Sequence, residues 1–166
     1  ANGSTAQWTS GTGSSNYAEV DEIPTDGDTT YIMSTGSAGV VHLVTLTSTS
    51  SSGITGTING AKAWARIREN TDVTTATRVR IKSGATNSDT ASSDPTTTYA
   101  NRFNLAATDP NTSAAWTTSN LDSAEVGVKE DNAVSTRCTT LSMFVDYVPS
   151  AGGTVYPNKM CMMGVG

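Results

Sequence analysis

Strict alternation of polar and apolar side chains, repeated in segment after segment, limits what this chain can fold into more than any other feature. From Thr77 to Ser83 the order is Thr-Arg-Val-Arg-Ile-Lys-Ser. Between Ala61 and Arg68, the residues Ala61, Ala63, Ala65 and Ile67 fall on one side, with Lys62, Trp64, Arg66 and Arg68 on the other. A period of two belongs to a β-strand with one buried face, because a helix would scatter these apolar side chains around its circumference. From Thr140 to Val148, Leu141, Met143, Val145 and Tyr147 share a face and Phe144 and Val148 lie opposite. Both faces of that strand are expected to be buried, which places it centrally in its sheet. Val40 to Leu46 is an apolar run interrupted by His42, and Thr98 to Leu105 alternates around Tyr99, Phe103 and Leu105. Thr29 to Ser34 and Glu125 to Lys129 are shorter strand candidates, and Ile54 to Ile58 is an eighth.

Composition supports the same class. Of 166 residues, 20 are Ser and 29 are Thr, and β-branched Thr suits a pleated surface better than a helix. A domain of this length buries roughly 70% of its unfolded surface, enough for one core. The expected fold is all-β: an antiparallel two-sheet β-sandwich, jelly-roll-like, over residues 16–149. Residues 1–15 are expected to be a flexible N-terminal segment around Trp8. Gly152-Gly153 is read as a hinge, and residues 150–166 as an extended C-terminal arm. Asp26-Gly27-Asp28 and Asp109-Pro110-Asn111-Thr112 read as turns, and Trp116 to Ser123 as one or two helical turns capped by Thr117 or Thr118.

Several function classes are disfavoured. No apolar run approaches the ~20 residues of a membrane helix. With 15 acidic against 10 basic side chains and a net charge of −5, nucleic acid is not the expected partner. Triad chemistry needs a base near neutral pH, and His42 is the only histidine and lies in an apolar strand. Cys138, Cys161 and His42 have no metal-ligand spacing, and without a charged, apolar leader reduced thiols are the default. No catalytic residue, metal site or cofactor is expected.

Charge is nevertheless clustered. Glu19, Asp21, Glu22, Asp26 and Asp28 lie within ten residues, as a solvated acidic turn or a partial calcium ligand set. Lys62, Arg66, Arg68, Arg78, Arg80 and Lys82 are six of the ten cations, and pairing of their two strands would make a basic stripe around Trp64. Such a stripe is either an ordinary solvent face or a dock for an acidic partner, including the 19–28 loop of a second copy. Trp8, Trp64 and Trp116 are either buried or available to stack on sugars. Asn2-Gly3-Ser4 and Asn111-Thr112-Ser113 match glycosylation acceptors in a chain where chance matches are expected.

Three stretches carry a resemblance: Trp8-Thr9-Ser10, then Asn16-Tyr17-Ala18-Glu19-Val20-Asp21-Glu22, then Asp26-Gly27-Asp28-Thr29-Thr30-Tyr31-Ile32. With Ala63-Trp64-Ala65-Arg66, Arg78-Val79-Arg80-Ile81-Lys82-Ser83-Gly84, Thr108-Asp109-Pro110-Asn111-Thr112, Ala114-Ala115-Trp116-Thr117, Glu125-Val126-Gly127-Val128 and Val145-Asp146-Tyr147-Val148-Pro149, they resemble a family of small virion structural proteins of tailed bacteriophages. The resemblance spans most of residues 8–149. It implies a β-sandwich virion component without enzymatic activity, made in the host cytoplasm. Its partners would be other copies of itself and a major capsid or tail protein, in a homo-oligomer or lattice. The expected subunit contacts are Lys62, Arg66, Arg68, Arg78 and Arg80 of the stripe, with Tyr156, Met160, Met162, Met163 and Val165 of the arm. The competing expectation is a secreted glycan-related binding module or extracellular filament subunit. For the last segment, the alternative is that it folds back on its own sandwich as an added strand.

Overall fold

The computed structural model describes residues 1–21, 28–71, 76–150 and 159–164. Its strands are β1 (Asn2–Ala6), β2 (Thr9–Ser10), β3 (Ile32–Met33), β4 (Val41–Thr45), β5 (Thr57–Glu69), β6 (Thr77–Ser83), β7 (Thr86–Asp89), β8 (Ala100–Ala106), β9 (Glu125–Glu130), β10 (Thr136–Val148) and β11 (Lys159–Met163). A short helix, α1 (Thr118–Asp122), precedes β9, and the Thr117 hydroxyl caps it by accepting a bond from the Asn120 amide at 3.1 Å.

Two antiparallel sheets face each other. Sheet I runs β1-β4-β9-β6-β7, and sheet II runs β2-β3-β10-β5-β8, with β11 also on β10. Every connection from β3 to β10 crosses between the sheets, except the two-residue β6–β7 hairpin at Gly84-Ala85, where Gly84 has φ +54°. The order β4-β9-β6-β7 over β3-β10-β5-β8 is that of a jelly roll, as expected. β1 and β2 extend one edge of each sheet.

The core lies between the sheets. Ala61, Ala63, Ala65 and Ile67 of β5 and Leu141, Met143 and Val145 of β10 are at most 1% exposed. They pack with Val44, Val79, Ile81, Val126 and Val128 of sheet I. β10 is central, between β5 on one side and β3 and β11 on the other. Hydroxyls also reach inside. Thr136 of sheet II donates to Glu130 of sheet I and shares a 3.2 Å bond with Thr77, and all three are buried. A buried polar group tied in this way avoids the cost of an unmade hydrogen bond.

Four expectations need correction. Residues 1–15 are not a separate segment: β1 pairs with β4, β2 pairs with β3, and Trp8 is buried. Ser4 anchors this stretch through its amide and hydroxyl on Glu125. Second, Ile54 to Ile58 is no separate strand, since β5 begins at Thr57 and Ile54 packs in the preceding turn. Third, β5 and β6 are not neighbours, because the chain changes sheets between them, so the six cations form no single stripe.

The fourth correction concerns the arm. β3 covers β10 only at Arg137 and Cys138, which leaves the same edge open further along. β11 returns antiparallel to fill it, opposite residues Met143 to Tyr147, and Met163 enters the core at 0% exposure. Open backbone groups on a sheet edge and a buried apolar side chain both favour this return over a free arm. Residues 151–158, with Tyr156, lie outside the described residues, as does Val165.

Candidate functional site

Cations on the outer face of sheet I are neutralised within the chain. Arg80 grips Asp89 through two bonds of 2.6 and 2.7 Å, and Lys82 reaches Glu125 at 2.9 Å. Arg78 and Lys129 share Asp131, which also accepts from Ser92. Partial burial works to raise the Asp131 pKa, but its bonds to Lys129, Arg78 and Ser92 prevail and bring it to about 2. Arg78 and Arg80 are therefore committed inside the molecule.

Sheet II has a different outer face. Lys62, Trp64, Arg66 and Arg68 of β5 lie between Leu105, Phe103 and Asn101 of β8 and Phe144, Ser142 and Thr140 of β10. The Lys62 ammonium sits 4.7 Å from the Phe103 ring centre and 5.1 Å from that of Phe144, and Trp64 packs on Phe144 at 5.8 Å. A groove of about 460 Å³ opens here, lined by Lys62, Leu105, Phe144, Asn59 and Asp146 among others.

β8 is turned inside out. Its alternation predicts Phe103 and Leu105 in the core, yet they are 48% and 72% exposed, while Asn104 on the opposite face is 7% exposed. Asn104 faces sheet I and donates to the carbonyls of Val79 and Ser88, which closes the sandwich beside β7. The polar side chain thus goes inside with both amide hydrogens satisfied, and two large apolar side chains are left outside. Among the described residues β8 is also the last strand of its sheet and pairs with β5 alone.

At the other end of this face Arg66 holds Asp28 through two 2.6 Å bonds. Of the acidic loop's described residues, Asp28 binds its own chain, and Glu19 is buried, accepting from Ser10, Gly11, Thr12 and Ser14. Burial works to raise the Glu19 pKa, and those donors bring it below its ordinary value. Glu22 and Asp26 lie outside the described residues. Beyond Arg66, Arg68 stands directly opposite Arg137 on β10. Arg66 and Arg68 lie 5.5 and 5.2 Å from the Tyr99 ring centre, and Arg137 lies 4.2 Å from that of Tyr31.

Other sequence candidates are internal. Trp8 and Trp116 are 2% and 3% exposed and donate to the carbonyls of Val40 and Ala106. His42 is fully buried with both ring nitrogens unbonded, and desolvation lowers its pKa to about 4. Cys138 is a free, buried thiol, its pKa pushed up to about 12 by desolvation. Among the described residues no group of three or more His, Cys, Asp or Glu is placed to hold a metal ion, and no helix is long and apolar enough to cross a membrane. This arrangement offers binding surface and charge. Sequence reasoning located Lys62, Arg66 and Arg68 on this face, but missed the outward turn of Phe103 and Leu105 and the presence of Arg137 and Tyr99. The one available signal was Asn104, a polar residue opposite the apolar pair.

No family model, no curated protein and no solved structure matches this chain.

Proposed function

We propose that this protein is a non-enzymatic structural subunit of a bacteriophage particle, a capsid decoration or other virion-surface protein that works through subunit contacts on the outer face of sheet II. The inverted β8 carries this reading. A chain that leaves Leu105 mostly and Phe103 half exposed while burying Asn104 forgoes up to roughly 1.5–3 kcal/mol for Leu105 and about half as much for Phe103, which a docked partner recovers. The jelly roll supports it by analogy, since virus capsid domains use this architecture, as lectins do. The sequence resemblance to tailed-phage virion proteins points the same way. In this reading the partners are other copies of the chain and a major capsid or tail protein.

Replacing Phe103 and Leu105 together by Ser tests the assignment. The variant is expected to fold with an unchanged melting temperature and to lose self-association in sedimentation experiments and incorporation into phage particles. Undiminished assembly would rule the face out. A second reading, a secreted glycan-related module, is favoured by Phe144, on which Trp64 packs, lining the same groove as Asn59, which donates to Asp146 at 3.3 Å. Binding of neutral oligosaccharides by a monomer that never enters particles would select it.

A further inference from the structure

The cations of the two sheets are treated unequally. Among the described residues each of Arg78, Arg80, Lys82 and Lys129 on sheet I has a carboxylate, and on sheet II only Arg66 does. Lys62 lies against aromatic rings instead, while Arg68 and Arg137 face one another across β5 and β10 with no ion pair among the described residues. Like charges directly opposite on neighbouring strands destabilise a sheet. Neither fork holds a carboxylate among the described residues: Arg68 bonds the Thr97 carbonyl at 3.4 Å and interacts with Tyr99, and the Nε of Arg68 and of Arg137 are buried without a hydrogen-bond partner. Beside Arg68 lies an open hollow of about 340 Å³, lined by Asp28, Arg66, Arg68, Thr97, Thr98 and Tyr99.

We infer that Arg68 and Arg137, beside Tyr99, form the binding site for a carboxylate side chain of a docked protein segment. The inference rests on the reading of the sheet II face as a subunit contact and specifies the partner's chemistry. A carboxylate matches a guanidinium fork with two parallel bonds, and it cancels the repulsion of the opposed pair. The occupant is an extended acidic–apolar segment. Lys62, Trp64, Arg66 and Arg68 form one outward row, and at ~3.3 Å per residue Lys62 and Arg68 stand ~20 Å apart. A strand laid along the row would set apolar side chains against Leu105, Phe103 and Phe144 and an acidic one, six positions away, between Arg68 and Arg137.

The probe is the peptide acetyl-Leu-Thr-Leu-Thr-Thr-Thr-Glu-amide, compared with its Gln7 counterpart on the intact protein by calorimetry and by the Arg Nε resonances. The Glu peptide is expected to bind at least about tenfold more tightly, to shift the resonances of Arg68 and Arg137, and to lose its advantage in 1 M salt. The double variant Arg68→Gln, Arg137→Gln should keep or raise its melting temperature, bind both peptides alike, and match the wild type's affinity for the Gln peptide. Equal binding of the two peptides by the wild type overturns the carboxylate site and leaves the apolar docking face standing. Binding of neither peptide overturns both. A Glu preference that persists in the double variant places the carboxylate elsewhere and overturns this assignment.

Discussion

Inside the sandwich the His42 imidazole has neither a hydrogen-bond partner nor access to water, and burial lowers its pKa from 6.5 to about 4. Between those values the unfolded chain takes up a proton and the folded chain does not. Stability therefore falls as pH drops from 6.5 to 4 and loses nothing further from this group below 4, by about 3 kcal/mol in all. Asp131 acts in a lower window. Its carboxylate is held at about 2 in the fold against an ordinary 3.8, so the stability it contributes is complete above 3.8 and is lost as pH falls toward 2. Its partial exposure limits that contribution to about 1–2 kcal/mol. Urea unfolding at pH 7, 5, 4 and 2.5 is expected to show both losses. His42→Leu should shrink the step between pH 7 and 4 and leave the lower one, while Asp131→Asn should reduce the lower one, which Glu19, Asp109 and Glu125, also held below their ordinary values, share with Asp131. Gly127 is a separate sensitivity. A Cβ there would lie 1.9 Å from the His42 carbonyl oxygen, so Gly127→Ala must force β4 and β9 apart, at a cost of about 1–3 kcal/mol in the same measurement.

Among the elements, β6 and β11 mark the limits of what periodicity conveys. The alternation from Thr77 to Ser83 matches β6 to the residue, with Val79 and Ile81 buried and the charged side chains outside. β11 has no alternation, since Met160, Cys161, Met162 and Met163 are consecutive, and it forms because β10 offers an open edge. β7, Thr-Asn-Ser-Asp, has no apolar residue at all and exists because a tight hairpin returns it to β6. The return of β11 makes a definite prediction. Truncation after Ser150 should lower the melting temperature rather than release an intact domain, because it strips five backbone partners and one core side chain from β10. Met163→Ala alone should cost about 2–4 kcal/mol in urea unfolding. An unchanged melting temperature after truncation would show that β11 adds nothing to the sandwich.

At the scale of the whole molecule, charge and apolar surface are segregated by sheet: among the described residues one outer face is neutralised internally, and the other carries exposed apolar groups and cations without an ion pair. Loss of assembly on mutating Phe103 and Leu105 belongs to this scale, because it depends on which way sheet II faces. The sequence alone determined that the chain is all-β, that β5, β6 and β10 exist and which of their residues face the core, and that a short helix starts at Thr117 or Thr118. Each depends on neighbours within a few residues, where the pleat and the helix turn set the geometry. Val148, expected inside, is 41% exposed. Tertiary structure decided the rest. Alternation states that a strand has two faces and is silent on which sheet it joins, so β5 and β6 read equally well as neighbours or as opposites. It also cannot orient β8, where two apolar side chains lost their place in the core to an asparagine that could reach the carbonyls of Val79 and Ser88. The opposition of Arg68 and Arg137 comes from two strands almost seventy residues apart, and only their register brings the two charges face to face.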